Sequence, residues 1–183
     1  MIEVEVKARA LPDTLDKIIS LGAAFAGTEN HRDLYFNSPQ RDFRKSDEAL
    51  RIRIKEEGAR LTYKGPKLDQ ETKTRKELTA KIDSPDEMAE ILSALGFVLS
   101  AEVRKRRTKY ALGDVTFALD EVEGLGAFLE VEISGEADYE EQRRRVLSLL
   151  EKLGMGKSIR SSYLELLEEK VRKESAFGNV RFP

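Results

Sequence analysis

The sequence predicts an α+β domain whose strands pair mostly antiparallel, and three observations carry that prediction. Strand-like and helix-like segments run in the order strand, helix, several strands, helix, several strands, two helices. This lacks the regular strand and helix alternation that builds a doubly wound parallel sheet. The strand-like segments alternate apolar and charged residues with a period of two, and the helix-like segments carry apolar stripes at i, i+3 and i+4. A chain of 183 residues can bury a sizeable core, and we expect one domain over residues 1–174 followed by a tail over residues 175–183.

The first strand places Ile2, Val4 and Val6 on one face and Glu3, Glu5 and Lys7 on the other. Same-face neighbours on a strand lie roughly 7 Å apart, so two carboxylates there repel by about 2 kcal/mol at an effective dielectric near 20. A solvated face disperses that repulsion with water and salt; a divalent cation is the other neutraliser. Leu11, Pro12 and Asp13 open a helix with Leu15, Ile18 and Ile19 as its stripe, ended by Gly22. An extended stretch through Asp33, Leu34, Tyr35 and Phe36 stops at Asn37-Ser38-Pro39. Leu50 to Lys55 alternates again, breaks at Gly58 and returns through Leu61 to Lys64, which predicts a hairpin.

A strand through Thr74 to Leu78 follows. Ser84, Pro85, Asp86 and Glu87 then supply a cap, a first-position proline and first-turn acids for a helix whose stripe is Met88, Ile91, Leu92 and Leu95. Three more strands run over Val103 to Tyr110, Val115 to Leu119 and Phe128 to Ile133. A helix from about Tyr139 to Leu153 shows Val146, Leu149, Leu150 and Leu153 at helical spacing, and another starts at Ser161 or Ser162. Two copies of a strand, helix, strands plan are faintly visible.

Composition narrows the function classes. Hydrophobic residues make up 40% and charged residues 36%, so the chain is folded yet richer in charge than the roughly 25% of an average globular protein. The formal net charge is -2, which offers no global basic field for nucleic acid, so any anion site is local. The absence of cysteine excludes disulfides, thiolate metal sites and thiol nucleophiles. No apolar run approaches the ~20 residues of a membrane span, and a charged N-terminus is unlike a secretory signal, so we expect a cytoplasmic protein without a membrane partner. Sparse Asn and Gln beside abundant Glu, Lys and Arg lean towards a thermophile.

Taking one face of each strand gathers Glu3, Glu5, Lys7, Arg9, Arg51, Arg53, Lys64, Arg75, Glu77, Lys105, Arg107, Asp120, Glu130 and Glu132. In an ordinary sheet this face looks at water while the apolar face packs inward. The alternative is a barrel turned inside out, with helices covering its apolar exterior and charge lining a lumen. Such a lumen calls for a polyanion.

Here the chain resembles a known family. The segments Glu3 to Lys7, Asp33 to Phe36, Leu50 to Arg53, Thr62 to Pro66, Arg75 to Glu77, Lys105 to Arg107, Asp120 to Gly126, Glu130 to Glu132 and Ser162-Tyr163 are similar, in family order, to those of the CYTH family of triphosphate tunnel metalloenzymes. That family includes class IV adenylyl cyclases and thiamine triphosphatases, and the likeness extends to about Leu167. The resemblance implies a closed eight-stranded antiparallel barrel with a charged lumen and helices outside, binding a triphosphate with Mg²⁺ or Mn²⁺. Its foremost implied activity is conversion of ATP to cyclic AMP and diphosphate. Hydrolysis of thiamine triphosphate, tripolyphosphate or nucleoside triphosphates is the alternative, a non-catalytic polyphosphate or nucleotide sensor a third and a binder of RNA 5′ ends a distant fourth. A homodimer is also implied.

With that resemblance, Arg51, Arg53, Lys64, Arg75, Lys105 and Arg107 read as phosphate binders, because Arg forks hold phosphate oxygens bidentately and Lys supplies a point charge. Glu3, Glu5, Glu130 and Glu132, with Asp120, read as the metal's oxygen ligands. Lys7 contacts phosphate or orients the acids. Tyr35 and Lys64 match a pair that, in the thiamine triphosphatase branch, activates water; a tyrosine in a barrel wall is the plainer reading of Tyr35.

Other signals carry less. His31 is the only histidine, which cannot by itself make a histidine metal site, and reads as an ordinary polar residue. Gly124-Leu125-Gly126 lies between strands and opens no helix. Gly65-Pro66-Lys67 lacks the rest of a phosphate-binding loop, and Arg143, Arg144 and Arg145 read as a solvated helix face or an acidic-partner contact rather than an RNA site.

Overall fold

The computed structural model describes the backbone of residues 2–133 and 138–178, and the side chains of residues 4–133 and 138–175. In chain order the elements are β1 (Ile2–Arg9), α1 (Thr14–Ser20), β2 (Ala24–Asn37), β3 (Ala49–Lys55), β4 (Gly58–Lys67), β5 (Arg75–Ile82), α2 (Pro85–Ala94), β6 (Val98–Leu112), β7 (Val115–Val122), β8 (Gly126–Ile133), α3 (Tyr139–Lys152) and α4 (Tyr163–Gly178). The strands form a closed antiparallel barrel in the order β1-β5-β4-β3-β2-β6-β7-β8. β1 closes it, pairing with β8 from Val4 opposite Ile133 to Arg9 opposite Phe128, and, among the described residues, with β5 at Ile2 and Glu3.

The chain order divides the barrel into two like halves, each a strand, a helix and three further strands. The helix that follows the first strand of each half ends alike. Gly22 at φ 92° and Gly96 at φ 89° take the left-handed conformation that a glycine adopts without strain. Each amide, and the next, closes back onto the last helical turn: Gly22 to Ile19 and Ala23 to Ile18, Gly96 to Ser93 and Phe97 to Leu92.

Apolar strand faces point outward. Val4, Val6, Phe117, Leu129, Val131 and Ile133 form one buried cluster with Ile18 of α1 and Val146, Leu150 and Leu153, the stripe of α3 and its cap. Leu34, Phe36, Leu50 and Ile52 form a second with Leu92 of α2 and Phe43. Burying such side chains contributes about 1.5–3 kcal/mol each, so the helices fix which face of the sheet becomes the exterior. The charged faces are left to line the interior, as the inside-out alternative expects.

Several elements depart from the sequence reading. β2 and β6 are longer than predicted because they pair with each other along nearly their whole length, past a bulge at Gly27 that interrupts the alternation. β5 runs on to Ile82. In α2 only Leu92 of the predicted stripe is buried, while Ile91 and Leu95 stand 52% and 64% exposed, because the short helix meets the sheet along a narrow line. Ile19 of α1 is likewise outside the core. α4 continues to Gly178, beyond the start of the expected tail; residues 179–183 lie outside the described residues.

Candidate active site

A cavity of about 270 Å³ lies inside the barrel, lined from seven of the eight strands and capped by Ser162, Tyr163 and Glu165 at the start of α4. Period-two alternation explains its lining: consecutive odd or even residues of each strand share the inner face. Glu5, Tyr35, Arg51, Arg53, Lys64, Arg75, Lys105, Arg107, Glu130 and Glu132 all reach it. Lys7 and Asp120 lie in the interior beside it without lining it. Glu3 shares the inner register of β1, but its side chain falls outside the described residues.

Acids hold most of the lumen cations in place. Asp33, 2% exposed, accepts two bonds from Arg53, at 2.7 Å from Nε and 2.6 Å from Nη2, while Arg51 Nη1 stands 3.9 Å away. Asp120, 1% exposed, accepts from Lys105 at 2.8 Å, from the Arg107 fork at 2.7 and 2.6 Å, and from the Tyr163 hydroxyl at 2.8 Å. With those partners Asp120 anchors two cations, a role the sequence reading did not assign to it. Arg107 also donates to Glu130, and Lys64 to Glu77. Arg75 donates to the carbonyls of Asp47 and Gly65 at 3.2 and 3.0 Å, and so braces the β2–β3 loop as well as lining the cavity.

Lys73 was not singled out from the sequence. Its ammonium donates to Glu5 Oε1 at 2.6 Å and Glu130 Oε1 at 2.9 Å, bridging two strands. Burial alone would depress Lys73, but Glu130 and Glu5 override it and raise its pKa. Its parity with Arg75 and Glu77 gave a signal; its place in the segment before β5 concealed it.

The remaining electrostatics follow from crowding. Burial, then the neighbouring Lys73, pushes Lys7 down to about 7; its Nζ donates to the Ser161 carbonyl and lies 4.2 Å from the Tyr163 ring centroid. Burial, then Arg107, pushes Lys105 down to about 7. Lys64 is lowered by burial and by Arg51. Burial would raise Glu130, yet Lys73 and Arg107 hold it well below the usual carboxylate range. Tyr35 and Lys64 line the same cavity: Lys64 donates to Glu77, and burial, then the neighbouring Asp33, raises the pKa of Tyr35. Among the described residues no three His, Asp or Glu side chains converge as a ready ligand set.

Among the described residues, two polar atoms of the inner face are buried without a partner. One is Arg51 Nε, an N–H donor pointing at nothing. The other is Nδ1 of His31, whose Nε2 lies 2.7 Å from Glu29 in a network with Lys55 and Lys109. His31, read from the sequence as an ordinary polar residue, is thus buried at 4% exposure. Burial, then Arg53, pushes it down to about 4. Between that value and the ordinary 6.5 the unfolded chain binds a proton that the folded protein does not, so stability rises with pH across this window and falls as pH drops through it. The full difference is about 3 kcal/mol. Replacing His31 by Gln is expected to flatten the stability profile from pH 6.5 towards 4, read as the urea midpoint; a profile parallel to that of the unsubstituted protein would contradict the assignment.

Comparison with known proteins agrees with this architecture. A family model described as the CYTH domain matches residues 1–163. A Methanocaldococcus jannaschii protein, provisionally named an adenylate cyclase, is 41% identical over 174 residues, covering 91% of this chain and 98% of its own length. A solved protein of Pyrococcus horikoshii superposes with a TM-score of 0.85 at 44% identity, covering 92% of this chain and 99% of that one. A Hippeastrum protein, provisionally named an adenylyl cyclase and described as revealing a dominant triphosphatase activity, shares the fold with a TM-score of 0.67 at 19% identity, covering 92% of this chain and 95% of its own. A closed antiparallel barrel, a lumen of paired acids and cations, and a family match over most of the sequence lead to one conclusion: the chain belongs to the CYTH domain family.

Proposed function

We propose that the protein is a metal-dependent enzyme acting on a nucleoside triphosphate, cyclising ATP to cyclic AMP and diphosphate. One observation carries the reading: Arg51, Arg53, Lys105 and Arg107 face the same enclosed cavity as Glu5 and Glu130. A triphosphate with about four negative charges needs several fixed cations in a site shielded from water, where each is worth more than at the surface. The unpartnered Nε of Arg51 is a donor held ready for such an anion.

A divalent cation fits the donor set. Glu5 and Glu130 place one oxygen each within 2.9 Å of a single cationic atom, and Mg²⁺ or Mn²⁺ takes one or two carboxylates with the rest of its shell from substrate oxygens and water. Glu132 lines the same cavity and is the third candidate ligand. Bound there, the ion would polarise phosphoryl oxygens and offset charge on the departing diphosphate.

The chain's own residues supply position and charge. Asp33 holds the Arg53 fork flat, and Asp120 fixes Lys105 and Arg107, so these cations meet the phosphates already oriented. With the triphosphate clamped, the ribose 3′-oxygen attacks the α-phosphorus as its proton departs, and the bond to the diphosphate oxygen breaks.

A second reading, hydrolysis, is favoured by Tyr35 and Lys64 standing on the same cavity wall, where a water could take the place of the ribose hydroxyl. The Tyr35 hydroxyl, its pKa raised by burial, would serve there as a donor. Pure protein incubated with ATP and with tripolyphosphate in Mg²⁺ or Mn²⁺ separates the two. Cyclic AMP with diphosphate is the expected product; orthophosphate release alone would establish hydrolysis, and no turnover of either substrate would overturn both readings.

A further inference from the structure

Lys73 sits where the proposed metal must go. It lies at the end of the segment joining β4 to β5, and its backbone amide donates to the Glu5 carbonyl at 3.0 Å, docking that segment against β1. The segment is pinned from its other end as well: Asp69 accepts from the amide and hydroxyl of Thr72 and from the Tyr139 hydroxyl, and Arg160 donates to the Asp69 carbonyl at 2.6 Å. The Lys73 ammonium is therefore delivered between Glu5 and Glu130 by an anchored backbone, and its side chain is only 11% exposed.

We infer that Lys73 is the resident counter-cation of the Glu5 and Glu130 pair, and that it couples metal loading to the arrival of the triphosphate. The argument rests on the assignment of those two carboxylates to a divalent cation. An ammonium and a divalent ion cannot share two oxygens that already approach one nitrogen at 2.6 and 2.9 Å, since the positive charges would sit within a few ångströms of each other inside a poorly solvated lumen. Free metal entering alone must turn Lys73 out without bringing an anion to receive it. A metal entering with a triphosphate brings that anion, and Lys73 lines the same cavity as Arg51 and Lys105. The ammonium can then pass from carboxylate to phosphate oxygen by rotation of its own four-carbon stem. Binding of metal and of triphosphate should therefore reinforce each other, and by linkage equally in both directions.

The test is Mn²⁺ binding to the full chain, followed by the loss of the free Mn²⁺ paramagnetic resonance signal, with and without tripolyphosphate. In the unsubstituted protein, tripolyphosphate is expected to tighten Mn²⁺ binding by at least tenfold over the sum of Mn²⁺ held by the anion alone and by the protein alone. Lys73→Met is expected to tighten binding of Mn²⁺ without anion by at least tenfold, and Lys73→Arg to leave it near the original value. Lys73→Gln, which keeps a donor between the two acids, carries the same expectation as Met should the Met variant not fold; folding is read by circular dichroism. Unchanged or weaker Mn²⁺ binding in folded Lys73→Met or Lys73→Gln would overturn the role of Lys73. If, in that case, Mn²⁺ still binds with tripolyphosphate and is lost in Glu130→Gln, the metal assignment itself stands. No Mn²⁺ binding by any variant under either condition would overturn both.

Discussion

Glu5→Gln or Glu130→Gln is expected to lower metal-dependent turnover of a triphosphate by more than 100-fold with the fold retained. Either change keeps the shape of the side chain and removes one unit of negative charge from an oxygen pair that converges on one cation. A hard divalent ion depends on that charge, and a loss of 100-fold corresponds to about 2.7 kcal/mol of transition-state stabilisation. Stability should suffer much less, because neither change strands its partners. After Glu5→Gln, Lys73 keeps Glu130; after Glu130→Gln, Lys73 keeps Glu5 and Arg107 keeps Asp120. Steady-state kinetics over a range of Mg²⁺ concentrations, with circular dichroism as the control, check this. Turnover within a few-fold of the original at every Mg²⁺ concentration would remove both residues from the metal site.

Arg51→Ala should weaken tripolyphosphate binding by 10- to 100-fold, about 1.4 to 2.7 kcal/mol, while leaving the melting temperature close to its original value. Arg51 is the lumen arginine with an unpartnered buried N–H, and the carboxylate nearest to it, Asp33, lies 3.9 Å away and keeps two bonds to Arg53 when Arg51 is gone. A charge-assisted contact to phosphate is worth about 1.5–3 kcal/mol, so the loss appears in affinity. Arg53→Ala makes the contrast. It leaves Asp33 buried and without its two-pronged partner, for which about 3–5 kcal/mol of stability is the expected cost. Titration calorimetry and thermal unfolding of both variants would show the two effects falling on different observables. Equal affinity in Arg51→Ala would mean that this guanidinium does not meet the anion.

Which residues share a strand face was legible in the sequence, because a period of two leaves no freedom: Glu5 and Lys7, and Arg51 and Arg53, alternate with apolar neighbours, while Lys105 and Arg107 share a face by parity alone, among Arg104, Arg106 and Thr108. Which face turns inward was not, since the same alternation describes a sheet whose charge looks at water. The stripe of α3 decides it by covering Val4, Val6 and Val131 from outside. Register between strands was hidden too. Asp33 reads as one residue of a strand, and only its place opposite Arg53 in the β2–β3 pair makes it the acid that orients Arg53. The resemblance offered Asp120 as a possible metal ligand, and its partners in the fold, Lys105, Arg107 and Tyr163, could not be read from the sequence. Lys73 escaped notice because the sequence reading starts its strand one residue later, at Thr74, although the segment before that strand is what aims it. Exposed Ile91 and Leu95 show the converse: an apolar stripe at helical spacing marks a face able to pack, and the sheet below offers α2 less width than the stripe provides.

The account turns on a triphosphate lying inside the barrel between its cations and its acids. A crystal of the protein grown with tripolyphosphate and Mn²⁺, with data collected at the manganese absorption edge, would locate the ion by its anomalous signal. The predicted result is a manganese peak bonded to carboxylate oxygens of Glu5 and Glu130, with phosphate oxygens on Arg51, Lys105 and Arg107. Manganese and anion on the outer surface, with Lys73 still bridging the two glutamates, would contradict it.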